Sequence, residues 1–260
     1  MSDERWDGGA VGERAVCVRE DNPGVMTLDG TNTWVLREPG GERSVVVDPG
    51  ELDEPHLRAV LEVAAPVALV LLTHRHGDHT GGAAWFADAA GCPVRATDPD
   101  HCTGAPPLAD GEEIEVDGLR LRVVATPGHT SDSTSFLLTD ASLLTGDTVL
   151  GRGTTVVAHP DGALGPYLDS LERLSGMVDA GEVARLLPGH GPVVDDAGAV
   201  LDFYLTHRAQ RLEQVRAAVA DGAVTPRAVV ERVYADVDES VWPAAELSVA
   251  AQLDHLAAGG

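Results

Sequence analysis

The chain of 260 residues contains no lysine, and all 18 of its basic residues are arginine. Its 42 aspartates and glutamates outnumber them, so the formal net charge is −24 at pH 7. We interpret the missing lysine as codon bias in a GC-rich bacterial genome. Because capture of nucleic acid needs a basic field that neutralises phosphates, this charge disfavours unassisted binding of a polyanion.

Aromatic residues, cysteines and long apolar runs are also scarce. Aromatics make up 4% of the chain, so aliphatic side chains must dominate the core. Cys17, Cys92 and Cys102 are widely spaced and form no Cys-x-x-Cys pair, which argues against a disulfide framework or a cysteine zinc site. No apolar run approaches the roughly 18 residues of a membrane span. The polar first residues do not resemble a signal peptide, so we expect a cytoplasmic protein without membrane contacts.

The pattern of apolar residues predicts a mixed α/β fold. Val67–Leu72 is a continuous apolar run, as expected for a buried central strand. The stretch 164–178 has the spacing of an amphipathic helix. The order of a β-rich stretch, helix, strand and helix then occurs a second time. Such an order suits a four-layer αββα sandwich, with helices outside two sheets.

The character of the chain changes after Asp221-Gly222. Thr225 has the residue type of a helix N-cap, and Pro226 suits the first helical position. Two or three short helices account for the remainder. We therefore predict one large domain over residues 1–221 and a small helical module over residues 222–260.

Directly after the buried apolar strand, four candidate metal ligands fall within six residues. They are His74, His76, Asp78 and His79. In an extended segment, the two histidines two apart point to the same side. Gly77 then lets the chain turn, so that the following Asp and His aim at a second point. Each pair can therefore bind its own ion.

Three further candidates, His129, Asp147 and His190, each follow a predicted strand and lie beside glycine. Packing alone gives no reason for such polar clustering, because buried polar groups need partners. Imidazole and carboxylate together suit Zn²⁺, with Mn²⁺ or Fe as alternatives. Seven ligands for two ions leave coordination positions open, which is typical of a catalytic site. A carboxylate can bridge two such ions and leave room for a bridging hydroxide.

These residues, in this order, resemble the metallo-β-lactamase superfamily over roughly Asn22 to His207. The resemblance implies that superfamily's αββα fold and a hydrolase with a dinuclear zinc site that activates a bridging hydroxide. The first ion would be held by His74, His76 and His129. The second ion would be held by Asp78, His79 and His190. Asp147 would bridge both ions.

Two aspartates receive further roles from this resemblance. Asp48 ends its strand at the position of the superfamily's first motif, where an aspartate supports the metal loop from behind the ligands. Asp78 would be catalytic as well as a ligand. It would orient the nucleophile or accept its proton.

A closer likeness is to the β-lactamase-like group that includes a mitochondrial single-strand endoribonuclease. It is carried by the segments 22–23, 27–33, 146–151, 153–155 and 204–208. That group adds a C-terminal winged-helix-like module. The helices predicted between Thr225 and Leu256 resemble it, and the sequence stops where its β-wing would begin. We therefore expect a module that resembles a winged helix without its wing.

Several functions remain open at this point. We expect hydrolysis of a small ester, thioester, lactone or phosphodiester. Single-stranded RNA is disfavoured by the net charge, and a glyoxalase II-like thioesterase is an alternative. A non-enzyme alternative is a metal-stabilised binding module whose C-terminal helices contact a partner or form a homodimer. Met26, Leu28 and Trp34 stay open between the wall of a substrate cleft and ordinary packing.

Overall fold

A computed structural model describes residues 5–259, and within that range eleven strands form two sheets. The first sheet pairs its strands in chain order: β1 (Gly9–Val11), β2 (Ala15–Arg19), β3 (Asn32–Leu36), β4 (Ser44–Val47), β5 (Val67–Leu71) and β6 (Val94–Arg95). Its first four strands are antiparallel, whereas β4, β5 and β6 are parallel. The parallel half is the part that carries the histidine-rich loop.

The second sheet also pairs its strands in chain order. They are β7 (Glu113–Val116), β8 (Leu119–Ala125), β9 (Thr134–Leu138), β10 (Ser142–Gly146) and β11 (Arg185–Pro188). Only β10 and β11 are parallel. Asp117 and Gly118, at φ 48° and 92°, form the two-residue turn between β7 and β8. Positive φ at both positions matches the right-handed twist of the strands.

Seven α-helices connect or follow these strands in the described part of the chain. They are α1 (Glu54–Ala64), α2 (Gly77–Thr80), α3 (Ala83–Ala90), α4 (Leu164–Asp179), α5 (Ala197–Ala220), α6 (Pro226–Val233) and α7 (Trp242–Ala257). The single turn α2 lies within the histidine-rich motif, where the sequence pattern predicts only a flexible turn. It forms because the backbone N–H groups of His79 and Thr80 both donate to the carbonyl of His76.

Successive side chains along each strand point to opposite faces of its sheet, and this alternation produces the predicted layers. Val45 and Val47 of β4 and Leu144 of β10 face the core between the two sheets. Val46 faces the opposite way, against α1 and α3, and Leu143 faces α4 and α5. This period-two pattern gives each sheet two buried faces. The result is the αββα order expected from the sequence.

The C-terminal helices α6 and α7 pack on the end of α5 through a separate apolar cluster. As predicted, the Thr225 side chain caps α6 by accepting from the N–H of Ala228, and Pro226 begins the helix. The boundary near residue 221 stays a prediction. None of the helices in the described range combines the length and the apolar character needed to cross a membrane.

Candidate metal centre

The seven predicted ligands lie together, although they come from four separate parts of the chain. The histidine-rich motif follows β5, and the other three ligands follow β8, β10 and β11. Their potential ligand atoms form three groups, each within 4.8 Å. The groups are His74, His76 and His129; Asp78, His79 and His190; and His74, His79 and Asp147. The third group joins the other two, so the arrangement is one centre with two halves.

In the first half, three imidazole nitrogens converge on one point. His76 Nδ1 lies 3.0 Å from His74 Nε2 and 3.1 Å from His129 Nε2. Nitrogens bound to a tetrahedral zinc ion are separated by about 3.3 Å, given Zn–N bonds of about 2.0–2.1 Å. The three side chains therefore already have close to the spacing that one cation requires.

Hydrogen bonds on the far side of two rings orient these nitrogens. His129 Nδ1 lies 2.7 Å from the carbonyl oxygen of Val156, so this nitrogen carries the proton and donates it. The hydroxyl of Thr73 donates to Asp48 and is therefore free to accept from His74 Nδ1, 3.0 Å away. Both rings thus keep the Nε2 lone pair for the centre of the cluster.

The second half contains one carboxylate and two histidines. His190 Nε2 lies 3.2 Å from Asp78 Oδ2 and 3.2 Å from His79 Nε2. His190 Nδ1 faces the carbonyl of Gly30 at 3.2 Å. The histidine side chains are fully buried, whereas that of Asp78 is 22% exposed. Asp78 is therefore the member of this half that solvent or a substrate can reach.

Asp147 lies between the halves. One of its oxygens, Oδ2, is 3.4 Å from His190 Nε2 and 3.7 Å from His129 Nε2. The other, Oδ1, is buried and makes no hydrogen bond among residues 5–259, although His79 Nε2 lies 3.5 Å away. A buried carboxylate oxygen without a partner is costly, and a divalent cation would satisfy it. The donor set and this oxygen both fit a pair of cations.

Asp48 lies behind the ligands, where the sequence predicts a supporting residue. It is 1% exposed. Its Oδ1 accepts from the backbone N–H of Thr73 at 2.8 Å, and its Oδ2 accepts from the Thr73 hydroxyl at 2.6 Å. His79 Nδ1 lies 2.9 Å from the same Oδ2. One carboxylate thus orients His79 directly and, through Thr73, also orients His74.

The carboxylates and histidines of the centre shift one another's pKa values toward the charged forms. Burial opposes ionisation of Asp78, yet the neighbouring His79 and a hydrogen bond from His190 lower its pKa to about 2. Burial also opposes the charge on His79, but Asp147 and other carboxylates raise its pKa to about 9. Burial lowers the pKa of His129. Against its burial, His190 and His79 likewise hold the pKa of Asp147 well below the usual value. Asp78 and Asp147 are therefore ionised at neutral pH, and a bound cation would displace the proton of His79.

A cavity of about 90 Å³ opens beside His129 and Asp147. Its apolar wall includes Val25, Met26 and Leu28 on one side, and residues 150–156 line the other side. Met26 and Leu28 are thus at the cleft, one of the two options left open by the sequence.

Of the two options that the sequence left open for Trp34, the structure shows ordinary packing, and it adds a charged residue to the cleft. Trp34 is 2% exposed and donates its indole N–H to the carbonyl of Pro188 at 3.1 Å, so it packs in the core between the sheets. Arg152, which the sequence did not single out, lines the cleft and pairs with Asp29 at 2.8 Å. This ion pair connects the segment that contains Leu28 with the segment that contains Arg152. It becomes visible only when the folded structure brings the two segments together.

Comparison with known proteins places the chain among related sequences and structures. The family described as "Metallo-beta-lactamase superfamily" matches residues 26–190, and "Beta-lactamase associated winged helix domain" matches residues 225–260. The chain is 34% identical to the "Beta-lactamase-like protein 2 homolog" of Drosophila melanogaster, over 90% of this chain and 85% of that protein. It is 31% identical to "Lactamase-like protein aptB" of Emericella nidulans, over 89% of this chain and 77% of that protein.

A solved structure supports the fold. The crystal structure of a beta-lactamase domain protein from Burkholderia ambifaria superposes with a TM-score of 0.82. The superposition covers 97% of this chain and 88% of the Burkholderia chain, and the sequence identity is 24%. The likeness extends over the sandwich and into the C-terminal helices.

Proposed function

Because the chain belongs to the metallo-β-lactamase superfamily, whose members are hydrolases, we propose that it hydrolyses a small ester, thioester or lactone with an apolar acyl group. The observation that carries this proposal is the joined pair of ligand clusters. Between them lies a buried Asp147 oxygen that makes no hydrogen bond in the described residues. Two cations are proposed there, Zn²⁺ by donor type, with Mn²⁺ or Fe as alternatives.

When bound, the two cations would lower the pKa of a water molecule toward neutrality and polarise the substrate carbonyl. His74, His76 and His129 would hold one cation. Asp78, His79 and His190 would hold the other. Asp147 would contact both. Burial opposes its ionisation, but the neighbouring His190, His79 and His74 hold its pKa well below the usual value, so it stays ionised.

Asp78 is the residue proposed to orient the attacking water. It is the ligand of its half that is partly exposed, and it lies at the open side of the centre. A pKa of about 2 makes its carboxylate a weak proton acceptor at neutral pH. It therefore acts by accepting a hydrogen bond from the water and fixing its direction, with little transfer of the proton to itself.

The cleft supports a neutral, partly apolar substrate. Val25 and Met26 are 62% and 51% exposed and line the cavity beside the centre, so they offer an apolar surface that a ligand in the cleft would cover. A net charge of −24 opposes the approach of a polyanion such as single-stranded RNA. Both observations favour a small acyl compound over a phosphodiester polymer.

The test uses the full-length protein loaded with Zn²⁺ and a panel of chromogenic esters, thioesters, lactones, lactams and phosphodiesters, together with a labelled single-stranded RNA. We expect chelator-sensitive turnover of an acyl substrate with an apolar group. Asp78→Ala is expected to lose that turnover, whereas the matched Asp88→Ala, at an exposed position on α3, keeps it. RNA cleavage alone would favour the endoribonuclease alternative. No turnover by fully loaded protein would favour a binding module.

A further inference from the structure

Arg208 on α5 is a buried cation without a carboxylate partner. It is 5% exposed, and none of the ion pairs found among residues 5–259 includes it. One guanidinium nitrogen donates to the carbonyl of Thr155, and the guanidinium carbon lies 4.9 Å from the centre of the Tyr167 ring. The Nε of Arg208 has no hydrogen-bond partner among residues 5–259. Packing alone would be served better by an apolar side chain, because burial of an unpaired charge is costly.

The groups that Arg208 contacts adjoin the ligand loops. The Thr155 hydroxyl donates to the backbone carbonyl of Asp147 at 2.7 Å. The next residue, Val156, provides the carbonyl that accepts from His129 Nδ1 at 2.7 Å. Arg208 is therefore one peptide unit from the atom that determines the tautomer and direction of the His129 ring.

Tyr167 connects Arg208 to the same ligands by a second route. Its hydroxyl donates to the carbonyl of Thr148 at 2.7 Å, directly after Asp147. Its backbone packs so closely on Gly128 that a Cβ there would lie 2.3 Å from the Tyr167 Cα. The cation over the Tyr167 ring thus lies behind the loops that carry Asp147 and His129.

We propose that Arg208 is a positioning residue for one half of the metal centre, acting through Thr155 and Val156 to hold His129 Nε2 toward the cation. This inference rests on the proposed metal binding. Without the guanidinium, the 155–156 segment keeps the bond from the Thr155 hydroxyl to Asp147 but loses its anchor to α5, so the acceptor of the His129 ring is held less firmly. Residues that orient a ligand in this way typically change metal affinity by roughly 10- to 100-fold when replaced.

The test is a Zn²⁺ titration of the full-length protein against a chromogenic chelator. Wild type is expected to bind two ions. Arg208→Met is expected to bind one ion unchanged and the other roughly 10- to 100-fold more weakly. Arg211→Met is the matched control, because Arg211 also donates to one carbonyl, of Val233, and lies over one ring, of Tyr234. Its contacts are in the C-terminal helices, so both ions should bind as in wild type.

A double-mutant cycle separates positioning from general stability. In a His129→Ala background, Arg208→Met should cause no further loss of metal affinity, because its effect passes through His129. Equal weakening of both ions, an additive loss in that background, or wild-type affinity in Arg208→Met would overturn the proposal. If Arg208→Met does not fold, Arg208→Lys is judged by the same criteria, and failure of both variants to fold assigns Arg208 to stability alone. Failure of wild type to bind two ions would instead contradict the proposed function.

Discussion

Replacement of Asp48 by asparagine tests how far one buried carboxylate organises the ligand loop. The side chain keeps its size, and one oxygen can still accept from the backbone N–H of Thr73. The new amide nitrogen would face the Thr73 hydroxyl and His79 Nδ1, which donate to the carboxylate at 2.6 and 2.9 Å. His79 Nδ1–H would then face a donor, and the hydrogen of the Thr73 hydroxyl would lose its acceptor, so two hydrogen bonds to a charged acceptor are lost.

The magnitude follows from those two bonds. Hydrogen bonds to a charged group contribute about 1.5–3 kcal/mol each, and Asp48 is 1% exposed, so water cannot replace them. We expect the free energy of unfolding of the metal-free protein to fall by about 3–5 kcal/mol. For a chain of this size, that corresponds to a fall in Tm of about 10 °C. Zinc affinity should also fall by roughly 10- to 100-fold, because the His79 tautomer is no longer fixed.

Chelator-treated protein is unfolded with urea to measure stability, and zinc affinity is measured by competition. Asp196→Asn is the matched control, because Asp196 accepts from the N–H of Ala199 to cap α5, and asparagine caps a helix equally well. If Asp48→Asn unfolds within about 1 kcal/mol of wild type and binds zinc normally, the reasoning from buried hydrogen bonds is wrong.

Three further predictions concern pH, backbone packing and the cleft. Although burial opposes their charge, neighbouring carboxylates raise the pKa of His79 to about 9 and of His190 to about 10, from an ordinary value of 6.5. These two groups should therefore stabilise the metal-free protein most below pH 6.5, and that stability should be lost as the pH rises toward 9–10. The measurement is Tm as a function of pH. A Tm that stays constant over that range would contradict the raised pKa values. Gly128→Ala adds a Cβ 2.3 Å from the Tyr167 Cα at φ +136°, so unfolding should become easier by more than about 2 kcal/mol; an unchanged Tm would show that the loop can move away. Met26→Asp should lower kcat/KM for apolar acyl substrates by about tenfold or more with an unchanged Tm, because the side chain is 51% exposed; equal activity would remove Met26 from the substrate wall.

The local sequence pattern was sufficient to predict much of the fold and the residues of the candidate centre. The apolar run Val67–Leu72 forms β5 (Val67–Leu71), the amphipathic stretch 164–178 forms α4 (Leu164–Asp179), and Thr225 caps α6 as expected. The seven ligands could be chosen because each lies in a glycine-containing segment that follows an apolar strand. Such features depend on neighbours a few residues away, so they can be read without knowledge of packing.

Some predictions are still untested by the structure. The boundary near residue 221, the assignment of ligands to particular ions and the catalytic role of Asp78 stay predictions.

Packing between distant segments decided the rest. The sequence left Trp34 open between the cleft wall and ordinary packing, and the structure buries it between the two sheets. Arg208 lies 79 positions after His129 and contacts the ligand loops only because α5 crosses behind them. Arg152 and Asp29 form a pair across 123 residues of sequence. Contacts of this kind depend on the relative placement of whole layers, and no local periodicity encodes that placement.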